Sequence, residues 1–265
     1  MGNLGRLRYE PIDKRIRAVL DGRTVVDTGR AVLLWEPKRV VPSYAVPTGD
    51  IDAELTPAAT GRQREPATPP QLGQRPVYDP SVPFSVHTAE GEPLDISVGG
   101  ASRPGSAFAL TDDELDGYVA LDFGAFDTWY EEDELNVSHP RDPFHRIEIV
   151  HSSRPVRVEL DGQVLAESSR PYLLFESMLP VRYYLPAEDV ARELLAPSDT
   201  HTACAYKGQA SYLSLPDAPD IAWTYTAPLR EAAEVKDRIA FFNERVDLVI
   251  DGHPVPRPIT PWSKR

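Results

Sequence analysis

Apolar and polar side chains alternate from Ile16 to Leu20 and again from Val156 to Leu160, and each stretch runs into an Asp-Gly dipeptide. Alternation sends successive side chains to opposite faces of a strand, and Asp-Gly accepts the positive φ of a tight turn, so each stretch predicts the first arm of a hairpin. The returning arms end in nearly unbroken apolar runs, Val32-Leu33-Leu34-Trp35 and Tyr172-Leu173-Leu174-Phe175, as fits strands covered on both faces. Behind Pro186, the residues Val190, Leu194 and Leu195 share one helical face, with Glu188 and Asp189 in the first turn. This pattern predicts a short helix ending before Pro197. Strand-like stretches follow at 202–206, 211–215, 221–226, 239–242 and 248–250. Many short strands with a short helix predict a mainly β fold of antiparallel sheets, without the strand–helix alternation of a parallel nucleotide-binding sheet.

The two hairpins open a longer repeat. Laying residues 17–55 over 157–194, with a one-residue gap after the leucine-rich strand, matches Arg17, Leu20, Asp21 and Gly22 to Arg157, Leu160, Asp161 and Gly162. Arg30, Leu33, Leu34 and Glu36 then fall on Arg170, Leu173, Leu174 and Glu176, and beyond the gap Tyr44, Pro47, Asp50, Glu54 and Leu55 fall on Tyr183, Pro186, Asp189, Glu193 and Leu194. Further on, Gly91, Phe108, Ala120 and Asp127 are laid over Gly208, Trp223, Ala240 and Asp247. Identities in constant order, turn dipeptide included, predict a duplication, with one copy over 1–150 and the other over 151–265. The Pro- and Gly-rich stretch 56–83 has scarcely an apolar residue and predicts a long irregular insertion in the first copy.

At 265 residues the chain is long enough for two cores. A net charge of −13 argues against nonspecific binding to nucleic acid or to an anionic membrane. With Cys204 as its single cysteine, the chain has no intrachain disulfide and no cysteine-built zinc site. The opening Met-Gly-Asn-Leu-Gly-Arg meets charges rather than an apolar run, and no stretch is long enough to span a bilayer. The expectation is a soluble cytoplasmic protein. Its oligomeric state is open.

Several strings carry a family resemblance: Leu174-Phe175-Glu176, the run Leu179–Pro186, Thr202–Gly208 with Ala210 and Tyr212, Ala222-Trp223-Thr224-Tyr225, and Gly117–Arg146 with its Trp129-Tyr130 and His139-Pro140. They resemble the bacterial domain of unknown function 427, sometimes labelled nucleotidyltransferase-like, in its two-copy form. The resemblance implies two tandem β-tent-like domains, each of antiparallel sheets meeting at a steep angle with a short helix, as in the thalidomide-binding domain of cereblon and its zinc-containing relatives. The paired cysteines of those relatives are missing here, so packing must do zinc's work. The resemblance implies no activity.

Candidate chemistry gathers in the second copy. Lys207 beside Gly208 has the means to meet an anion where the backbone comes close, whereas the counterpart in the first copy is Glu90 before Gly91. The plainer reading is a lysine at a hairpin turn. Glu176, Arg182, Tyr183 and Tyr184 form a second cluster, in which carboxylate and guanidinium pair while the phenols line a cleft, or in which the pair merely closes a seam between sheets. Cys204 with His201 is a weak nucleophile candidate beside the alternative of a buried inert thiol. His139, Asp142 and His145 lack regular metal-ligand spacing and suit packing better, and the acidic run Glu131–Glu134 reads as a solvated face. Gly99–Gly105 is not followed by the Asp-x-Asp strand of a nucleotidyltransferase, and no nucleotide fingerprint identifies a cofactor. The leading expectation is a cleft in the second copy binding a small anionic or heterocyclic ligand through Glu176, Arg182, Tyr183, Tyr206, Lys207, Tyr212 and Trp223. The alternatives are a nucleotidyltransferase-like enzyme and a structural module that holds a partner with the insertion.

Overall fold

The computed structural model describes residues 4–59 and 68–263. Residues 60–67 of the predicted insertion lie outside that range. The chain forms two compact units, one comprising the chain up to Pro70 together with Pro76–Asp142, the other comprising Gln71–Arg75 and Pro143 onward. The division therefore falls a few residues before the boundary expected near 150. Antiparallel strands dominate, and the helical segments among the described residues are short 3-10 turns. Among the described residues, no helix is long and apolar enough to cross a membrane.

The first unit begins with β1 (Arg8–Pro11), β2 (Ile16–Leu20), β3 (Arg23–Thr28), β4 (Val32–Trp35), β5 (Ser43–Pro47) and β6 (Glu54–Pro57). The two-residue strands β7 (Gln71–Leu72) and β8 (Arg75–Pro76) fall in the second unit but for Pro76, and the first resumes with β9 (Gly91–Val98), β10 (Ala101–Leu110), β11 (Tyr118–Leu121), β12 (Thr128–Glu131) and β13 (Glu134–Asn136). A seven-stranded sheet runs β1-β4-β5-β11-β10-β9-β6, and a four-stranded sheet runs β13-β12-β2-β3. The β2–β3 turn holds Asp21 at φ 51° and Gly22 at φ 71°, the paired left-handed conformations that Asp-Gly tolerates. Ile16, Ala18 and Leu20 from one sheet meet Leu33, Tyr44 and Val119 from the other in the main core. The opposite face of the large sheet carries Val32, Leu34, Ala45, Phe108 and Ala120.

Part of the predicted insertion is tightly organised. Arg39, buried among its neighbours, donates from Nη1 to the Val82 carbonyl and from Nη2 to those of Pro83 and Val86. One planar guanidinium thereby gathers a loop in which Tyr78, Val82 and Val86 make a small core of their own.

The second unit contains β14 (Ile147–His151), β15 (Val156–Leu160), β16 (Gln163–Ser168), β17 (Tyr172–Glu176), β18 (Arg182–Tyr184), β19 (Ala196–Cys204), β20 (Gly208–Leu215), β21 (Ala218–Thr224), β22 (Ile239–Phe241), β23 (Asp247–Ile250) and β24 (His253–Val255). Its sheets run β14-β17-β18, β19-β20-β21-β22 and β16-β15-β23-β24. A single bridge, Leu185 to Ile239 with reciprocal backbone hydrogen bonds of 2.9 and 3.0 Å, joins the first two into one surface. Read through that bridge, the strand order repeats that of the first unit. The hairpins agree in register as well: Val158 faces Ala166 as Ala18 faces Val26, both followed by a bulge, and Leu173 faces Tyr183 as Leu33 faces Tyr44.

The helix expected over 187–195 is instead two 3-10 turns, Ala187–Asp189 and Arg192–Leu194, with Val190 extended between them. Pro186 and Pro197 leave too few residues between them to repay the cost of nucleating an α-helix, and Val190 forms a bridge to Ala166 instead. Leu194 and Leu195 still turn towards the core between the sheets, where Val156, Val158, Leu185 and Ile221 are buried.

Candidate functional site

Alternation along β17, β18 and β21 sends Leu174, Tyr184 and Trp223 to the outer face of the second unit's large sheet, away from the core between the sheets. There they meet Tyr225, Phe242, Ala240 and Tyr212, so rings make up nearly half of this face. Trp223 Nε1 donates to the Tyr184 hydroxyl at 3.0 Å, and Tyr212 stacks against Phe242 with ring centres 6.3 Å apart. The corresponding face of the first unit is chiefly aliphatic.

Two ion pairs sit beside these rings. Glu176, the last residue of β17, accepts from Lys207 Nζ at 2.6 Å on Oε2 and lies 3.1 Å from His145 Nε2 on Oε1. Glu176 and Lys207 side chains are each only 10% exposed. Burial pushes the Glu176 carboxyl up, but Lys207 and His145 overcome that effect and bring it down to about 2. Burial alone would lower the Lys207 ammonium, yet the neighbouring Glu176 carries it above the ordinary lysine value. The lysine is delivered by the β19–β20 turn, whose Gly208 has φ 91°. A Cβ there would stand 3.3 Å from Leu229 N, and Leu229 N donates to the Lys207 carbonyl.

Arg182 makes the second pair. Its two terminal nitrogens donate to the two oxygens of Glu244, each at 2.7 Å, and Glu244 also accepts from Thr260 Oγ1 at 2.6 Å. Trp223, Phe242 and Trp262 surround the guanidinium carbon at 5.6, 5.7 and 5.6 Å. The expected pairing of Arg182 with Glu176 is thus replaced by two separate pairs. Arg182 is drawn to a fully desolvated carboxylate 62 positions away, while Glu176 takes the lysine.

Glu176, Arg182, Tyr206, Lys207, Tyr212 and Trp223 therefore come together around one face. Tyr206 is buried, with its ring centre 5.5 Å from that of His145 and Arg146 beside it. Tyr183 does not join them: alternation turns it to the core between the sheets, with Leu185 and Val190. Cys204 is half-buried rather than buried, and His201 faces Ser211 at 3.4 Å. His145, assigned to packing by its spacing, is a direct partner of Glu176. Glu131 departs from the solvated acidic run, because alternation in β12 puts it inward, where it accepts from Tyr44 at 2.6 Å and from Lys14 at 2.8 Å. Among the described residues, no three His, Cys, Asp or Glu side chains cluster as metal ligands would.

The first unit treats its equivalent carboxylate differently. Glu36 meets His87 Nδ1 at 2.9 Å and the backbone amides of Thr88 and Ala89 at 2.7 and 3.0 Å, with the imidazole stacked 3.6 Å above Phe108. Phe108 faces Pro93 and Ala120 as Trp223 faces Tyr212 and Ala240. Counting back from those pairs puts Ala210 at the position of Gly91 and Lys207 at that of Thr88. The alignment of Lys207 with Glu90 is therefore corrected by two positions, and what replaces the ammonium is a backbone amide rather than a reversed charge.

Residues 148–252 match a family model described as a domain of unknown function, DUF427 (NTP_transf_9). The match runs from β14 to the turn after β23 and contains both ion pairs. No curated protein matches the chain.

Proposed function

We propose that the second unit binds a small planar heterocycle on the ring-lined outer face of its large sheet, and that the first unit is a structural copy of the same β-tent-like domain. The observation that carries this reading is the placement of Glu176–Lys207 and Arg182–Glu244, both buried, side by side with Tyr184, Trp223 and Phe242. Burying an ion pair seldom stabilises a fold more than an apolar replacement, so two such pairs on one face fit recognition better than stability. Each cation already has its carboxylate. A lone anion gains little there, whereas a flat neutral ring offering both donors and acceptors gains stacking area and hydrogen bonds. Shared strand order and hairpin register support the duplication, with the first unit's aliphatic face as the non-binding version.

The test is a thermal-shift screen of neutral heterocycles beside size-matched carboxylates and phosphates, run on the wild type, on Tyr212→Ala and on the Lys207→Met/Glu176→Gln double variant. Binding raises the melting temperature according to ligand concentration over Kd. The reading expects a heterocycle to stabilise the wild type and to lose at least tenfold in affinity in the variants. Stabilisation by anions alone, or equal response in all three proteins, would sink it.

A further inference from the structure

Regular structure in the second unit ends with β24 at Val255, yet the chain returns to the outer face and places Thr260 and Trp262 there. A tight turn shapes this tail: Ser263 N donates to the Thr260 carbonyl, Thr260 N to Ser263 Oγ, and Trp262 N to Thr260 Oγ1, at 3.0, 3.0 and 3.2 Å. The turn presents two groups together. The Thr260 hydroxyl reaches Glu244 Oε1 at 2.6 Å, and the Trp262 ring stands 5.6 Å from the Arg182 guanidinium and 6.4 Å from the Phe242 ring.

The two sides of this contact are built unequally. Arg182, Glu244, Trp223 and Phe242 are all under 9% exposed and belong to the body of the unit, whereas the tail sets a buried Thr260 between Ile259, 57% exposed, and Trp262, 43% exposed. The body supplies a guanidinium face, two rings and a carboxylate oxygen, which suits a flat ring with a hydroxyl beside it. The tail supplies such a ring and such a hydroxyl.

We propose that the Arg182–Glu244 pair with Trp223 and Phe242 is a subsite for a planar aromatic ring bearing a neighbouring hydroxyl donor, and that Trp262 and Thr260 occupy it in cis. This deepens the reading of the outer face and rests on it. A ligand competes with the tail, so its apparent Kd rises by the reciprocal of the fraction of molecules with the tail displaced. A tail held in place nine times in ten weakens binding about tenfold.

Indole-3-ethanol, which carries the ring and the hydroxyl in one small molecule, serves as the probe. Its binding is followed by ligand-observed NMR to the wild type, to Trp262→Ala and to Thr260→Val/Trp262→Ala. These positions lie on the tail, and unchanged unfolding midpoints identify folded variants. Saturable binding at least tenfold tighter to the double variant than to the wild type, and lost again when Trp223→Leu is added, is the expected result. Equal affinity for wild type and tail variants overturns occupation in cis while leaving the outer face as a binding surface. Absence of binding to every folded tail variant overturns the subsite itself, and the heterocycle screen with Lys207 and Glu176 variants then decides the wider reading separately. Should the double variant unfold, the same comparison with Trp262→Ala alone decides the matter.

Discussion

The Thr28 hydroxyl donates to Asp50 Oδ2 at 2.6 Å, and the second unit makes the same contact between Ser168 and Asp189 at 2.7 Å. In each case the hydroxyl oxygen also accepts from a backbone amide two residues on, that of Arg30 or Arg170, whose guanidinium reaches the same carboxylate. Both hydroxyls are nearly out of reach of water. Thr28→Val and Ser168→Ala each leave that amide without its acceptor and should cost about 2 kcal/mol, read from urea unfolding. A loss below 0.5 kcal/mol (about the effect of a plain surface change) would show that water replaces the contact.

Removing Lys207 leaves the buried Glu176 carboxylate with His145 as its remaining side-chain partner. Lys207→Met should destabilise the second unit by about 3–5 kcal/mol, the usual cost of breaking a buried pair on one side. Adding Glu176→Gln should recover most of it, because the charge left behind is then gone. A double-mutant cycle measures the coupling, and simple additivity would contradict the pairing seen here.

Acid should act through the same carboxyl. In the folded protein Glu176 is held at about 2 against an ordinary 4.5, lower when folded than when unfolded. Its contribution to stability is therefore present above about 4.5 and is lost as pH falls towards 2. The difference is worth on the order of 3 kcal/mol. Stability measured between pH 6 and 2 should fall less steeply in the Lys207→Met/Glu176→Gln protein than in the wild type, and parallel curves would assign the acid sensitivity to other groups.

A methyl group at position 91 has nowhere to go. A Cβ on Gly91 would sit 2.2 Å from the Ala109 carbonyl oxygen and 2.7 Å from the Phe108 ring. Gly91→Ala should destabilise the first unit by about 1–3 kcal/mol. The second unit already has Ala210 at the matching place, so Ala210→Gly should be much milder. Similar losses at both positions would contradict the register relating them.

The hairpins and their pairing were legible in the sequence because period-two alternation and Asp-Gly turns are local signals. Leu33 faces Tyr44 and Leu173 faces Tyr183, as the alignment requires. The short helix was misread because Val190, Leu194 and Leu195 satisfy helical spacing, while two flanking prolines make the segment too short for that spacing to decide. Most of the side chains grouped by the sequence, Tyr183 excepted, lie about one face, but their pairings were not legible. Lys207 finds Glu176 across 31 positions and Arg182 finds Glu244 across 62, and no local pattern encodes either. Glu244 escaped notice although it follows Phe241 and Phe242 at a strand end, where an acidic residue beside buried rings was the available signal. Glu131 misled in the opposite way, since a charge run hides an inward member unless strand alternation is applied to it.

The one-bridge join between Leu185 and Ile239 carries a mechanical consequence. In the first unit the same seam is laced by four residue pairs, from Tyr118 with Pro47 to Leu121 with Tyr44. In the second, the backbone of the two half-sheets is joined by a lone rung, and side chains hold the rest of the seam: Trp223 with Tyr184, Arg182 with Glu244, and Asn243 with the Val181 carbonyl. One rung has no neighbouring rungs to hold it shut, so the amides of Leu185 and Ile239 should trade their protons for deuterium well before those of Val46 and Val119.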